Sequence, residues 1–195
     1  MELQALTDVD LLGVMVGPRR AVQLLKESRG SIAALLSDSL ASYHVEKPAN
    51  QRLLAARELI KRSLAEAFRN GDPLTSPQAV RDYLRISVMG RGHEVFMVLF
   101  LDAQHRLIES EEMFRGTLTQ TSVYPREVVK AALAGNAAAV IFAHNHPSGV
   151  AQPSQADELL TRQLKEALAL VDVKVLDHFV VAGNQCLSFA ERGLL

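Results

Sequence analysis

The chain has 195 residues, of which 48% are hydrophobic, and its formal net charge is −1. This composition is typical of a globular protein with one domain, or with one domain and a small appendage. The balanced charge gives no strong basic footprint for nucleic acid, and the single cysteine excludes an intrachain disulfide and a cysteine-rich zinc site.

The sequence gives no indication of a membrane segment or an export signal. No apolar run approaches the roughly 20 residues that a helix needs to cross a bilayer. The first residues, Met-Glu-Leu-Gln, lack the basic and apolar regions of a signal peptide. We therefore expect a cytoplasmic protein that does not associate with membranes.

The first part of the chain has the apolar spacing of short helices. The predicted helices cover residues 8–15, 18–26, 31–36 and 50–69. The turn-rich stretch Asn-Gly-Asp-Pro at 70–73 follows them and marks a boundary. We predict a small all-α domain at 1–72 and a second domain at 73–195.

The second part alternates between helical and extended patterns. Helices are predicted at 76–89, 125–133 and 154–170, and strands at 94–102, 106–114, 138–146, 174–181 and 185–188. Interleaved helices and strands, with a hairpin at each end, indicate an α/β fold in which helices cover a mixed sheet.

The predicted strand at 138–146 ends in two histidines with one residue between them. Side chains two positions apart on a strand point to the same side, so His144 and His146 can bind one ion while Asn145 faces away. Asp157 falls in the first turn of the next predicted helix, where its carboxylate can face the strand end. Three ligands of this kind leave one position open, as in catalytic sites for divalent ions.

Simpler explanations exist for each part of this pattern. Ser154 and Asp157 have the spacing of a helix capping box. Two histidines in a strand are often packing or surface residues. The combination of the histidine pair, the turn and the following Ser-x-x-Asp favours a metal site.

The same residues resemble the JAMM signature of metal-dependent MPN-domain proteases, His-x-His-x(7)-Ser-x(2)-Asp. The surrounding sequence resembles the bacterial RadC family. The segments that carry this second resemblance are 94–102, 114–118, 123–129, 144–149 and 176–178. The resemblance covers 73–195 and implies a cytidine-deaminase-like, three-layer α/β fold, the MPN (JAMM) domain, for that region.

The resemblance also implies roles for individual residues. His144, His146 and Asp157 would hold one divalent ion with a water in the open position; two histidines and a carboxylate suit zinc best, although the sequence does not exclude another divalent ion. Glu94, which precedes the strand at 94–102 and would otherwise be taken for a solvated strand-edge residue, would be the general base and acid. Ser154 would donate a hydrogen bond to the developing oxyanion.

The N-terminal part departs from the family pattern. RadC proteins usually carry helix-hairpin-helix elements there, with glycine-rich hairpins that can meet phosphate. Here the second hairpin is replaced by His-Val-Glu-Lys-Pro-Ala-Asn at 44–50, which has no glycine, and Gly-Pro-Arg-Arg at 17–20 is the only remnant. The sequence therefore gives little support to DNA binding by this degenerate domain.

Three functions can be compared at this point. The first is a metallopeptidase that cleaves a peptide or isopeptide bond in an unknown protein or peptide substrate. The second is a DNA-repair-associated or protein-interaction module whose metal site is not hydrolytic. The third, a zinc deaminase, requires a Pro-Cys-x-x-Cys motif, which a chain with one cysteine lacks. The presence of all three ligands and Glu94 favours the enzyme, while the sequence predicts neither the substrate nor an oligomeric state.

One further histidine has two interpretations. His178 follows Asp177 in the predicted strand at 174–181. It could orient a metal ligand through a hydrogen bond, or it could be a histidine whose polar atoms serve only the packing of the core.

Overall fold

A computed structural model describes residues 3–35, 48–69, 77–88, 91–116 and 123–195. The chain divides into two compact units, Met1–Arg62 and Ser63–Leu195. The boundary predicted between 72 and 73 lies outside the described residues and stays a prediction. Of the segment 44–50, residues 44–47 are also outside them, and the remaining three begin a helix.

The first unit is helical, as predicted. A short 3-10 helix, Leu3–Ala5, precedes α1 (Asp8–Val16), α2 (Pro18–Glu27), α3 (Ile32–Leu35) and α4 (Pro48–Arg69), the last of which continues into the second unit. Thr7 and Asp10 form a capping box at the start of α1, and Pro18 occupies the first turn of α2, where its missing N–H costs nothing. The small core of this unit consists of Leu12, Ala21, Leu24, Leu35 and Leu53.

The second unit contains a five-stranded mixed sheet and three further helices. Its elements are α5 (Pro77–Val88), β1 (Val95–Leu101), β2 (Leu107–Arg115), α6 (Pro125–Ala134), β3 (Ala139–Asn145), α7 (Gln155–Ala169), β4 (Lys174–Ala182) and β5 (Gln185–Ser188). The strand order is β2-β1-β3-β4-β5. Among the strands within the described residues, only β3 and β4 are parallel, and α7 connects them. The predicted α/β class and mixed sheet are confirmed.

Helices cover both faces of this sheet, which makes three layers. Every residue of β1 and β3 is buried, because the apolar runs of these central strands pack on both sides. Side chains of α5, such as Leu84, pack on one face with Leu99 and Ile141. Side chains of α6 and α7 pack on the other face. The Phe142 side chain belongs to this second cluster.

The strand pairing brings several chain segments together at one end of the central strands β1 and β3. Phe96, near the start of β1, is opposite His144, near the end of β3, because the two strands are antiparallel. After β3 the chain reverses at Gly149, whose positive φ of 83° is easily adopted only by glycine. The start of α7 follows directly, so the sequence places a strand start, a strand end and a helix start together.

In the part of the chain that the structure describes, none of the helices has the length and hydrophobicity that a membrane span requires.

Candidate metal centre

Four side chains from this end of the central strands converge on one point. Glu94, His144, His146 and Asp157 each offer a ligand atom, and these atoms all lie within 4.8 Å of one another. Glu94 immediately precedes β1, the histidines lie at the end of β3, and Asp157 lies in the first turn of α7. The structure thus brings together all four residues that the sequence indicated for metal binding and for the catalytic base.

The two histidines face the same side, as their spacing predicts. The backbone N–H of His146 donates to the carbonyl of Val181 at 2.9 Å, so β3 stays beside β4 for one residue beyond its assigned end. The Nε2 atoms of His144 and His146 are 2.9 Å apart. The side chain of Asn145 points away and bonds to the backbone near the start of β1.

A backbone carbonyl fixes the orientation of His146. Its Nδ1 atom lies 2.8 Å from the carbonyl oxygen of Val150. A carbonyl only accepts hydrogen bonds, so Nδ1 carries the proton and a neutral His146 presents an unprotonated Nε2 atom to the site. The turn after β3 brings the Val150 carbonyl back to the His146 ring.

The carboxylate of Asp157 serves the helix and the site at once. Its Oδ2 atom accepts hydrogen bonds from the backbone N–H and the hydroxyl of Ser154, both at 2.7 Å, and the Ser154 hydroxyl accepts from the Asp157 N–H at 3.2 Å. Its Oδ1 atom lies 3.3 Å from His144 Nε2, and Oδ2 lies 3.5 Å from His146 Nε2. Asp157 therefore forms the capping box and also faces the two histidines, so the two interpretations of the sequence are compatible.

The electrostatics of the site favour positive charge. Burial alone raises the pKa of Asp157, but hydrogen bonds from His144 and His146, which their charged forms donate through Nε2, and from Ser154 outweigh burial and hold that pKa well below its usual range. The hydrogen bond with Asp157 in turn raises the pKa of His146, against the effect of burial. The carboxylate thus stays ionised and attracts a cation.

The donor set fits a divalent ion such as zinc. A tetrahedral ion with bonds of about 2.0–2.1 Å holds its ligand atoms roughly 3.3 Å apart. The three separations among His144 Nε2, His146 Nε2 and the nearest Asp157 oxygens are 2.9, 3.3 and 3.5 Å. Imidazole nitrogen and carboxylate oxygen are also the atom types that such ions prefer. The three side chains can therefore hold an ion without a large rearrangement.

The backbone on both sides of Glu94 is anchored. Asn145 Oδ1 accepts from the Val95 N–H at 2.8 Å, and Asn145 Nδ2 donates to the His93 carbonyl at 3.0 Å. The Glu94 carbonyl accepts from the Gly116 N–H at 2.8 Å. These bonds hold the half-buried Glu94 beside the ligands although it precedes the regular strand.

His178 contacts His144, one of the three predicted ligands, directly. Its Nε2 atom lies 2.8 Å from His144 Nδ1, and its Nδ1 atom lies 2.6 Å from the hydroxyl of Thr161. The ring is fully buried, and burial holds the pKa of His178 well below its usual range, so the ring is neutral. Of its two interpretations, the geometry favours the orienting one.

Two residues of the site were missed in the sequence. Val150 contributes only a carbonyl, which no side-chain pattern reveals. Thr161 left a weak signal, because it is a polar residue in line with Leu164 and Leu168 on the buried face of α7.

Comparison with known proteins gives consistent matches. The family described as RadC-like JAB domain matches residues 74–194. A UPF0758 protein of Dechloromonas aromatica (strain RCB) is 57% identical in an alignment over 204 residues, and this alignment covers 98% of this chain and 90% of that protein. The UPF0758 protein AZOSEA04420 of Aromatoleum aromaticum is 56% identical over 203 residues, with the same two coverages of 98% and 90%. A UPF0758 protein of Nitrosomonas eutropha is 54% identical over 201 residues, which cover 97% of this chain and 90% of that protein.

Proposed function

Because the chain belongs to the RadC family, with a RadC-like JAB domain, and four potential ligand groups converge in that domain, we propose that it is a zinc-dependent hydrolase of peptide or isopeptide bonds. The observation that carries the proposal is the presence of Glu94 within 4.8 Å of the other three groups. The proposal assigns Glu94 to the base and not to the fourth ligand position that a closed structural site would fill, so the ion keeps one position open for water.

The ligands follow from the geometry of the donor atoms. His144 and His146 would bind through Nε2, and Asp157 through Oδ1, the oxygen that the helix cap leaves free. Three protein ligands leave a position for water or substrate. When bound, the ion supplies a Lewis acid that makes water more acidic and polarises a carbonyl.

Glu94 is the proton carrier in this proposal. Its carboxylate takes a proton from water as the water oxygen bonds to the amide carbon. It then delivers that proton to the nitrogen as the carbon–nitrogen bond breaks, so that a carboxylic acid and an amine leave and Glu94 is ionised again; the acid passes its remaining proton to the amine or to solvent. Anchoring of the backbone around Glu94 keeps this carboxylate in reach of both atoms.

Ser154 stabilises the charge that develops on the carbonyl oxygen. Its hydroxyl now donates to Asp157 Oδ2, so donation to substrate requires the hydroxyl to rotate. The Ser154 N–H remains on the same carboxylate oxygen after that rotation, so the helix cap is only partly lost. A donor aimed at such an oxygen contributes about 3–4 kcal/mol in other hydrolases.

The test combines metal analysis with cleavage by two variants. Wild-type protein, Asp157→Ala and Glu94→Gln are reconstituted with zinc, analysed for bound metal, and incubated with a library of peptides and isopeptide-linked peptides. We expect one zinc ion per chain and cleavage in the wild type, and neither in Asp157→Ala. Glu94→Gln should keep its zinc and cleave about 10²- to 10⁴-fold more slowly, since general acid–base catalysis contributes that much.

The ligand assignment, the proton carrier and the hydrolytic function each have their own contrary result. Equal zinc content in wild-type protein and Asp157→Ala would remove the ligand assignment. Full activity of Glu94→Gln would remove the proton carrier. Zinc binding by the wild type without cleavage of any library member would favour the interaction module, in which the metal is not hydrolytic.

A further inference from the structure

We propose that Thr161 and His178 are positioning residues that fix the tautomer of His144 and so hold its Nε2 atom, unprotonated, toward the metal centre. This inference rests on the proposed metal site and adds two residues to it, neither of which offers a ligand atom. It follows from a line of hydrogen bonds, the His144 relay, in which Asp157, Thr161, His178 and His144 are bonded in that order.

The direction of the relay is set at its first bond. Thr161 Oγ1 lies 2.6 Å from the backbone carbonyl oxygen of Asp157, one helical turn earlier in α7. The carbonyl can only accept, so the single hydroxyl proton of Thr161 is used there. The same Oγ1 atom lies 2.6 Å from His178 Nδ1 and must accept from it. His178 therefore carries its proton on Nδ1.

The second half of the relay follows from the burial of His178. The ring is fully buried among the aromatic rings of Phe96, Phe142 and Phe189, and a neutral imidazole has only one N–H. Its Nε2 atom therefore has a free lone pair, 2.8 Å from His144 Nδ1. His144 must donate through Nδ1–H, and in its neutral form it presents an unprotonated Nε2 to the site.

The two ligand histidines thus reach the same state by different means. The proton of His146 is fixed on Nδ1 by a backbone carbonyl, that of Val150, which no side-chain substitution removes. The proton of His144 is fixed by two side chains. The relay also links two ligands, because it begins at the carbonyl of Asp157 and ends on the ring of His144.

Loss of the Thr161 hydroxyl should reverse the relay. In Thr161→Val the side chain keeps its shape, but His178 Nδ1–H has no acceptor, and a buried donor without a partner is costly. His178 then gains by carrying its proton on Nε2 and donating to His144 Nδ1. His144 must in turn carry its proton on Nε2, the atom that would bind the metal. Thr161→Ser keeps the hydroxyl and should keep the wild-type state.

The first measurement is zinc affinity of the full chain, with zinc in competition with a chromophoric chelator. We expect Thr161→Val to lower the association constant about 10- to 100-fold, the usual effect of losing a partner that orients a ligand. Thr161→Ser should stay within about twofold of the wild type. Phe189→Leu removes a ring stacked on His178 but no hydrogen bond of the relay, so it should reduce stability and leave zinc affinity unchanged.

The second measurement needs no metal. Long-range ¹H–¹⁵N spectra of the zinc-free protein distinguish the two histidine tautomers. His178 should carry its proton on Nδ1 in the wild type and in Thr161→Ser, and on Nε2 in Thr161→Val.

Several outcomes would overturn the inference. These are a wild-type His178 with its proton on Nε2, equal zinc affinity in Thr161→Val and wild type, or an equal loss of affinity in Phe189→Leu, which would make the effect one of packing. A wild type that binds no zinc would sink the proposed metal site instead, while the His178 spectrum still decides whether the relay exists.

Discussion

At the scale of single residues, the site includes a side chain, that of Asp157, that also stabilises the start of a helix. Asp157 Oδ2 caps α7 and lies 3.5 Å from His146 Nε2, while Oδ1 lies 3.3 Å from His144 Nε2, so one side chain stabilises the helix start and also offers a ligand atom. A side-chain cap contributes about 1 kcal/mol to stability. We therefore expect replacement of Asp157 to affect folding as well as the proposed metal binding, and metal content has to be measured on folded protein.

Cys186, in contrast to Asp157, is a side chain whose surroundings disfavour its ionised, reactive form. It is half-buried in β5, and burial raises the pKa of its thiol to about 11, although Arg81 and Arg85 oppose this rise. The nucleophile in alkylation is the thiolate, and an ordinary cysteine has a pKa near 8.5.

We therefore predict slow alkylation of Cys186 in the native protein. At pH 8 the thiolate fraction should be about two orders of magnitude below that of an ordinary cysteine, and the rate with iodoacetamide should fall in proportion. Mass spectrometry of samples quenched over time measures this rate. The same protein unfolded in guanidinium is the control and should react at the ordinary rate. Equal rates in the two states would contradict the prediction.

At the scale of elements, the site is held together by bonds between segments that are distant in sequence. Asn145 at the end of β3 bonds to the backbone of His93 and Val95, about 50 residues earlier, and so holds the start of β1 beside the histidines. The side chain is on the face opposite His144, as the alternation of the strand requires. One strand end therefore carries a predicted ligand on one face and, on the other, the Asn145 side chain that holds the backbone on both sides of Glu94.

We predict that Asn145→Leu destabilises the protein. Leucine has a similar size but leaves the buried Val95 N–H without a partner, and an unsatisfied buried donor costs about 1–3 kcal/mol. Urea unfolding of the zinc-free protein measures the loss. Asn184→Leu, in the exposed β4–β5 turn, is the matched control and should change the free energy of unfolding by no more than about 0.5 kcal/mol. Similar losses in the two variants would show that Asn145 has no special role.

These contacts also explain what the sequence could and could not predict. Apolar periodicity placed the helices and strands to within one or two residues at most ends, since buried faces impose that periodicity. The two histidines and Asp157 could be grouped because strand, turn and helix are consecutive. The contacts of Thr161, Val150 and Asn145 could not be predicted in this way. Their partners depend on strand register and on the path of a turn. Glu94 was found only through the family resemblance.

At the scale of the whole molecule, the proposed chemistry belongs to one of the two compact units. All four residues of the candidate metal centre lie in Ser63–Leu195, and Met1–Arg62 has its own apolar core. The matched family covers 74–194. Binding of DNA by the N-terminal residues stays a prediction with little support, and a role for that unit has to be sought separately from the metal site.

Zinc should therefore stabilise the second unit and leave the first unchanged. An ion that binds only the folded site stabilises it by about 2.7 kcal/mol when its free concentration is 100 times the dissociation constant. Hydrogen exchange, followed by mass spectrometry with and without zinc, should show slower exchange in β3 and the start of α7. Exchange in residues 3–35 should not change. Asp157→Ala is the control, in which zinc should slow exchange nowhere.

The stabilisation by zinc should also disappear in acid. A protonated imidazole cannot bind the ion, so proton and zinc compete for His146. Asp157 raises the pKa of His146, so the proton is held to a higher pH than in an ordinary histidine. The protection by zinc should be complete near pH 8 and lost as the pH falls through the raised pKa of His146. Near pH 5, amide exchange should be the same in zinc-loaded and zinc-free samples. Undiminished protection at that pH would mean that the ion does not bind through the imidazoles, and an equal gain in residues 3–35 would mean that the two units respond together.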